Sequence, residues 1–283
     1  MDRRLFLKCM AAALIGAGTS PRVFAGTLAS APGHPDVVAD RYLKDYLTKM
    51  DNFDASHADD VYLDREYLPR LESSLKRLQR LQRVVGHGNF YLLNFDEARN
   101  IARNYARVGA FSQPELDFLE LIFYEDSSHY GFMGKKPLKN LTDRIRRKAV
   151  VKIPGTGNYL YRGRPLETYR QIRRHLGSQV VLTSGIRSVT KQFMLFLNKA
   201  HEHQGNLSLA SRSLAPPGYS YHGVGDFDVG QVGFGAANFT ARFTTTPVFK
   251  RLQDLGYINL RYEKGNLLGV RFEPWHIKVH PCT

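Results

Sequence analysis

Three side chains able to hold a metal ion, His222, Asp226 and Asp228, fall within seven residues in the stretch 217–230, Pro-Gly-Tyr-Ser-Tyr-His-Gly-Val-Gly-Asp-Phe-Asp-Val-Gly. Glycines within and around the group let the backbone turn sharply, so that imidazole and carboxylate can be brought to one point. Nitrogen and oxygen donors suit a borderline-soft divalent ion such as zinc, and a hydrolytic site uses three protein ligands with a fourth position open to water. The stretch can supply two ligands. A third is offered near the C-terminus by Glu273-Pro274-Trp275-His276, where an imidazole follows a carboxylate by three positions. That spacing presents one nitrogen to a metal and one oxygen to the water beside it.

A third segment lies upstream of both, Ser184-Gly185-Ile186-Arg187-Ser188-Val189-Thr190-Lys191-Gln192. In chain order the pattern is Ser-Gly-x-Arg-Ser-x-x-x-Gln, then Ser-x-His-x-x-Gly…Asp, then Glu-x-Trp-His. Together these motifs resemble the D-alanyl-D-alanine metallopeptidases, especially the vancomycin-resistance-type carboxypeptidases, which share a zinc superfamily with lysostaphin and sonic hedgehog. The resemblance runs over residues 149–279. It implies that His222, a following Asp and His276 are zinc ligands, that Glu273 is the catalytic base, and that Arg187 faces the scissile carbonyl. Gln192 and Ser220 are implied as substrate-binding positions. One spacing departs from the family: the Asp there stands seven residues after the His, whereas Asp228 is six after and Asp226 four after. The Asp-Val-Gly opened by Asp228 matches the family's continuation and favours Asp228, while the spacing of Asp226 resembles that of the lysostaphin branch and keeps it as the alternative.

The implied activity is zinc-dependent hydrolysis of a peptide bond in peptidoglycan stem peptides, with D-alanyl-D-alanine carboxypeptidase action first. An endopeptidase on the same site and a non-catalytic zinc-containing wall-binding protein are the alternatives. Glu273 separates the enzyme from the binding module, because a binding module has no use for a proton shuttle.

The remainder of the chain must deliver, position and hold these segments. Residues 1–25 carry Arg3-Arg4-Leu5-Phe6-Leu7-Lys8, a short apolar run and a small-residue end at Val23-Phe24-Ala25, the pattern of a twin-arginine export signal. The run is too short to span a bilayer, which takes about 20 residues. The expected location is the periplasm or the exterior, with no membrane span after the signal is removed. The formal charge of +14 falls to +11 without Arg3, Arg4, Lys8, Arg22 and Asp2. Such a surplus favours anionic partners, and for an exported chain the polyanionic cell wall and acidic lipid surfaces are the expected ones, not nucleic acid. Of the two cysteines, Cys9 lies in the signal and Cys282 is left alone, so no intramolecular disulfide is available to the exported chain.

Residues 26–147 read as a helical accessory region. Leu68, Leu71, Leu75, Leu78, Leu81 and Val85 recur at intervals of three and four on a basic background, one buried stripe on a solvated helix. A second helix is expected from about residue 96 to the stop at Gly109. A third opens at Ser112-Gln113-Pro114-Glu115, a capping box. Residues 148–283 change texture and form the expected zinc peptidase domain. Strands are expected at 149–153 and 179–183, helices at 165–176 and from Thr246-Pro247 to Gly256, and a hairpin of strands 257–262 and 269–272. The fold class expected is α+β, a small antiparallel sheet flanked by helices and preceded by an all-helical N-terminal region.

Overall fold

The computed structural model describes residues 35–279. The expected export signal therefore lies outside the described residues, as do Cys9 and Cys282. The chain divides into two compact units, Met1–Tyr42 and Leu43–Thr283, and helix α1 (Pro35–Asp51) crosses the boundary in sequence. The second unit contains everything described below, and it spans both sides of the change in texture near Lys148.

The stripe read from the sequence forms α2 (Leu68–Val85), whose Leu71, Leu75, Leu78 and Leu81 are buried. Burying each such side chain contributes about 1.5–3 kcal/mol. The helix expected from about residue 96, α3 (Phe95–Asn104), stops before the expected end, and a turn carries the chain to Gly109. Both α3 and α4 (Gln113–Tyr124) start in capping boxes, Asn94 with Glu97 and Ser112 with Glu115. The apolar faces of these helices pack against α6 (Val189–Glu202) and α7 (Leu207–Ser213) in one core that also takes in Tyr219, Tyr262 and Val270.

Strands β1 (Val150–Lys152) and β2 (Tyr159–Tyr161) pair antiparallel across the Gly-rich turn, followed by α5 (Arg164–Leu176). A separate antiparallel sheet has the order β3 (Val180–Ser184), β4 (Phe227–Gln231), β5 (His276–Ile277). Phe227 and Val229 alternate into a second core with α5, α8 (Pro247–Asp254) and Trp275, which turns Asp228 to the opposite face. The chain is thus α+β with small antiparallel sheets.

Two sequence expectations are corrected. The sharp turning expected over 217–230 ends before Phe227, from which the stretch is the central strand of the three-stranded sheet. The hairpin at 257–262 and 269–272 does not form a ladder. Leu260 makes an isolated bridge to Ile277, and Glu273 N donates to Tyr262 O (3.1 Å). The intervening segment is drawn instead towards residues 131–133, where Met133 N donates to Leu268 O (2.9 Å). Gly269 permits this approach, because a Cβ there would lie 1.9 Å from Gly131 O.

Candidate active site

The three-stranded sheet aligns the site. Ser184 of β3 is the register partner of Asp228 on β4, and Asp228 is in turn the partner of His276 on β5. A register shift between Leu182 and Ser184 brings Ser184 opposite Asp228; strict alternation would have kept it in step with Leu182. His222 comes from a separate turn, Tyr221–Gly223, immediately before β4. That turn is closed by Gly225 N and Asp226 N donating to Tyr221 O (both 3.1 Å), and by the Tyr161 hydroxyl donating to Gly223 O (2.9 Å).

These elements gather His222, Asp228 and His276, all buried, with one donor atom from each within 4.8 Å of the others. Asp228 Oδ1 lies 3.3 Å from His222 Nε2 and 3.2 Å from His276 Nδ1. It is buried and has no hydrogen-bond partner. Tetrahedral zinc with bonds of about 2.0–2.1 Å separates its ligand atoms by roughly 3.3–3.4 Å, so the observed spacing and the orphaned oxygen fit a metal of that size.

Both imidazoles are held from behind. The Nδ1 of His222 is 2.8 Å from Gly185 O, an acceptor only, so Nδ1 carries the proton and Nε2 is left with a lone pair. Gly185 is required at this point, since a Cβ there would lie 2.1 Å from Tyr159 O. The Nε2 of His276 faces Asp226 Oδ2 at 3.0 Å, which likewise leaves Nδ1 free to ligate. Asp226 also accepts from Arg261 Nε (2.5 Å) and, through Oδ1, from Val279 N (2.8 Å). The two aspartates kept open by spacing alone therefore occupy different places: Asp228 among the donor atoms, Asp226 behind His276.

The electrostatics follow the same arrangement. Burial opposes the charge on Asp226, but hydrogen bonds to His276 and Arg261 prevail and hold it down at about 2. Asp228 is likewise lowered, burial being outweighed by His222, His276 and Arg187. Burial would lower His276, yet the neighbouring carboxylates of Asp226 and Asp228 push it up to about 10. Burial and the nearby Arg187 lower His222. The cluster thus favours one positive charge at His276, which a divalent cation can supply in place of the proton.

Glu273 stands beside the donor atoms, its Oε2 3.7 Å from His276 Nδ1, and burial raises its pKa, as suits a proton acceptor. The pocket wall includes Arg187, Ser220, Arg271 and Glu273 with the three donor residues. Arg187 is tied on two sides, its Nη2 donating to Asp228 Oδ2 (2.8 Å) and its Nε to Ser184 Oγ (2.8 Å). Gln192 does not line the pocket. Its amide donates to Ala215 O (2.5 Å), behind a residue of the pocket wall. Sequence reasoning missed Ser184, Gly185, Arg261 and Arg271 as parts of the site. The first two stood inside a quoted motif; the two arginines carried no signal.

Residues 164–282 match the VanY family, D-alanyl-D-alanine carboxypeptidase, a span that contains all the residues implied as functional. This part of the chain is thus similar to VanY-type peptidase domains. Among solved structures, the LdcB LD-carboxypeptidase is 25% identical over 42% of this chain, with a TM-score of 0.36. VanYB in complex with D-alanine-D-alanine is 23% identical over 45% of this chain and 74% of its own, with a TM-score of 0.37. A vancomycin-resistance D,D-pentapeptidase VanY variant in complex with Zn(II) is 23% identical over 45% of this chain and 75% of its own, with a TM-score of 0.36. The chain spans 58% of the length of the LdcB structure. No curated protein matches the chain. Among the described residues, no helix is long and apolar enough to cross a membrane.

Proposed function

We propose that the chain is a zinc-dependent D-alanyl-D-alanine carboxypeptidase acting on peptidoglycan stem peptides, exported by the twin-arginine route to the periplasm or beyond. One observation carries the reading. The Oδ1 of Asp228 is buried and unpartnered between two imidazole nitrogens at 3.2 and 3.3 Å, with Glu273 beside them. His222 Nε2, Asp228 Oδ1 and His276 Nδ1 would hold the ion, and when bound it supplies Lewis acidity that makes water a nucleophile near neutral pH.

The chain's own groups do the rest. Gly185 O and Asp226 fix the tautomers of the two imidazoles. Glu273 takes the proton of the attacking water and returns it to the leaving amine. Arg187 brings a permanent positive charge to the pocket wall, where negative charge develops on the carbonyl oxygen. A disaccharide-pentapeptide digested by the zinc-loaded protein and read by mass spectrometry should lose one alanine, while E273Q should keep its zinc and lose about 10²- to 10⁴-fold in rate. Internal cuts would make the enzyme an endopeptidase. Binding of the peptide without any cleavage, equal in wild type and E273Q, would make it a wall-binding module.

A further inference from the structure

Four arginines stand in or beside the pocket, and three of them are committed. Arg187 is bound to Asp228 and Ser184, and Arg261 to Asp226. Arg212 forks onto Asp60 (Nη1 to Oδ1 2.6 Å, Nη2 to Oδ2 3.0 Å) and also donates to Phe53 O and Ala55 O. Arg271 differs. It lines the pocket with Glu273 and the donor triad, yet its guanidinium makes no hydrogen bond among the described residues, and its Nε is buried without a partner. The nearest acid, Glu273 Oε1, is 4.0 Å from Nε, beyond hydrogen-bond reach.

The position of this group is built. Its guanidinium carbon lies 4.5 Å from the ring centre of Phe53 and 4.8 Å from that of Trp275. Arg271 N donates to Arg212 O (3.0 Å), and Arg212 Nε donates to Phe53 O (3.2 Å), so one paired arginine fixes both the backbone of Arg271 and the ring over it. Aromatic rings beside a guanidinium cover its faces and leave the in-plane N–H edge for a ligand. That edge matches a carboxylate in a bidentate geometry, and a desolvated cation without an acceptor is costly until such a partner arrives.

We propose that Arg271 anchors a carboxylate of the peptide substrate and so selects which peptides the site accepts. The inference rests on the peptidase reading above. The carboxylate is either the free C-terminus of the peptide or one carried on a side chain.

The test uses the full zinc-loaded chain as wild type, R271Q and R271K. The substrates are an acetylated Lys-D-Ala-D-Ala peptide as free acid and as C-terminal amide, and the same pair with a carboxylate-bearing diamino acid in place of lysine. On the peptide whose carboxylate is bound, R271Q should raise KM about 10- to 150-fold, the usual worth of hydrogen bonds to charged groups, with kcat nearly unchanged. R271K keeps the charge without the fork and should fall between, and it carries the test alone should R271Q fail to fold. An effect that vanishes on the amides assigns the C-terminus. One that persists on them only with the diamino acid assigns the side chain. No change in KM, an equal loss on all four peptides, or a fall in kcat with a shifted pH profile would overturn the anchor, the last by showing that Arg271 acts on Glu273. Calorimetric titration with acetyl-D-alanine and with the intact peptides reads binding without turnover. Cleavage by the wild type with no effect of R271Q sinks the anchor alone. Carboxylate binding that R271Q abolishes, with no cleavage of any peptide, sinks the peptidase reading alone.

Discussion

Replacing Asp226 by asparagine changes one atom, yet the structure leaves that atom no acceptable place. Oδ2 faces the Nε2 proton of His276 at 3.0 Å and Arg261 Nε at 2.5 Å, while Oδ1 faces Val279 N at 2.8 Å. All three partners donate, and an amide has only one accepting atom. If its NH2 takes the Oδ2 place, His276 relieves the clash by moving its proton to Nδ1, the atom that points at Asp228 Oδ1 and must be free to ligate. If the NH2 takes the Oδ1 place, it opposes the Val279 amide directly. Loss of a partner that orients a ligating imidazole typically lowers metal affinity about 10- to 100-fold, and the forced tautomer puts D226N at the upper end, about 2.7 kcal/mol. D228A instead removes one of the three donor atoms and should fail to hold zinc at stoichiometric concentration. Competition with a chromophoric chelator measures both affinities, and elemental analysis gives the stoichiometry. Wild-type affinity in D226N would refute the role given to Asp226, and zinc retained by D228A but lost by D226N would show that the aspartates had been assigned in reverse.

G185A should lower stability by about 1–3 kcal/mol and weaken zinc binding, because the added Cβ meets Tyr159 O at 2.1 Å and the backbone that must shift carries the acceptor of His222; an unchanged melting temperature and affinity would count against it. R187K should lower kcat about 10²- to 10³-fold, since one ammonium cannot reach both Ser184 Oγ and Asp228 Oδ2, each 2.8 Å from a different guanidinium nitrogen. The zinc-free, chelator-treated protein should show a defined dependence of its urea midpoint on pH. Asp226 contributes stability fully above its ordinary 3.8 and loses it as pH falls through about 2, whereas His276 contributes below its ordinary 6.5 and loses it as pH rises through about 10. A midpoint climbing steadily from pH 7 to 10 would contradict the assignment of the His276 proton.

Much of this arrangement can be read from the amino-acid sequence because it depends on short-range rules. The leucine stripe of α2 and the capping box at Ser112 with Glu115 involve residues a few positions apart, whose geometry the helix itself dictates. The order and spacing of three motifs bring His222, Asp228, Glu273 and His276 to notice together. What the spacing leaves open is which carboxylate meets which nitrogen. Asp226 and Asp228 are both plausible partners for His276, and both touch it. The register of β5 on β4 sets Asp228 opposite His276, and the approach of Val279 and Arg261 claims Asp226 for the other face of the ring. Gln192 sits correctly in its motif, yet its helix turns the amide to Ala215 and away from the pocket. Arg271 has no motif at all; it is distinguished by the acceptors it lacks and by Phe53, more than two hundred residues earlier in the chain, lying over its guanidinium. Such contacts arise only when distant segments share one core, so only the tertiary structure decides them.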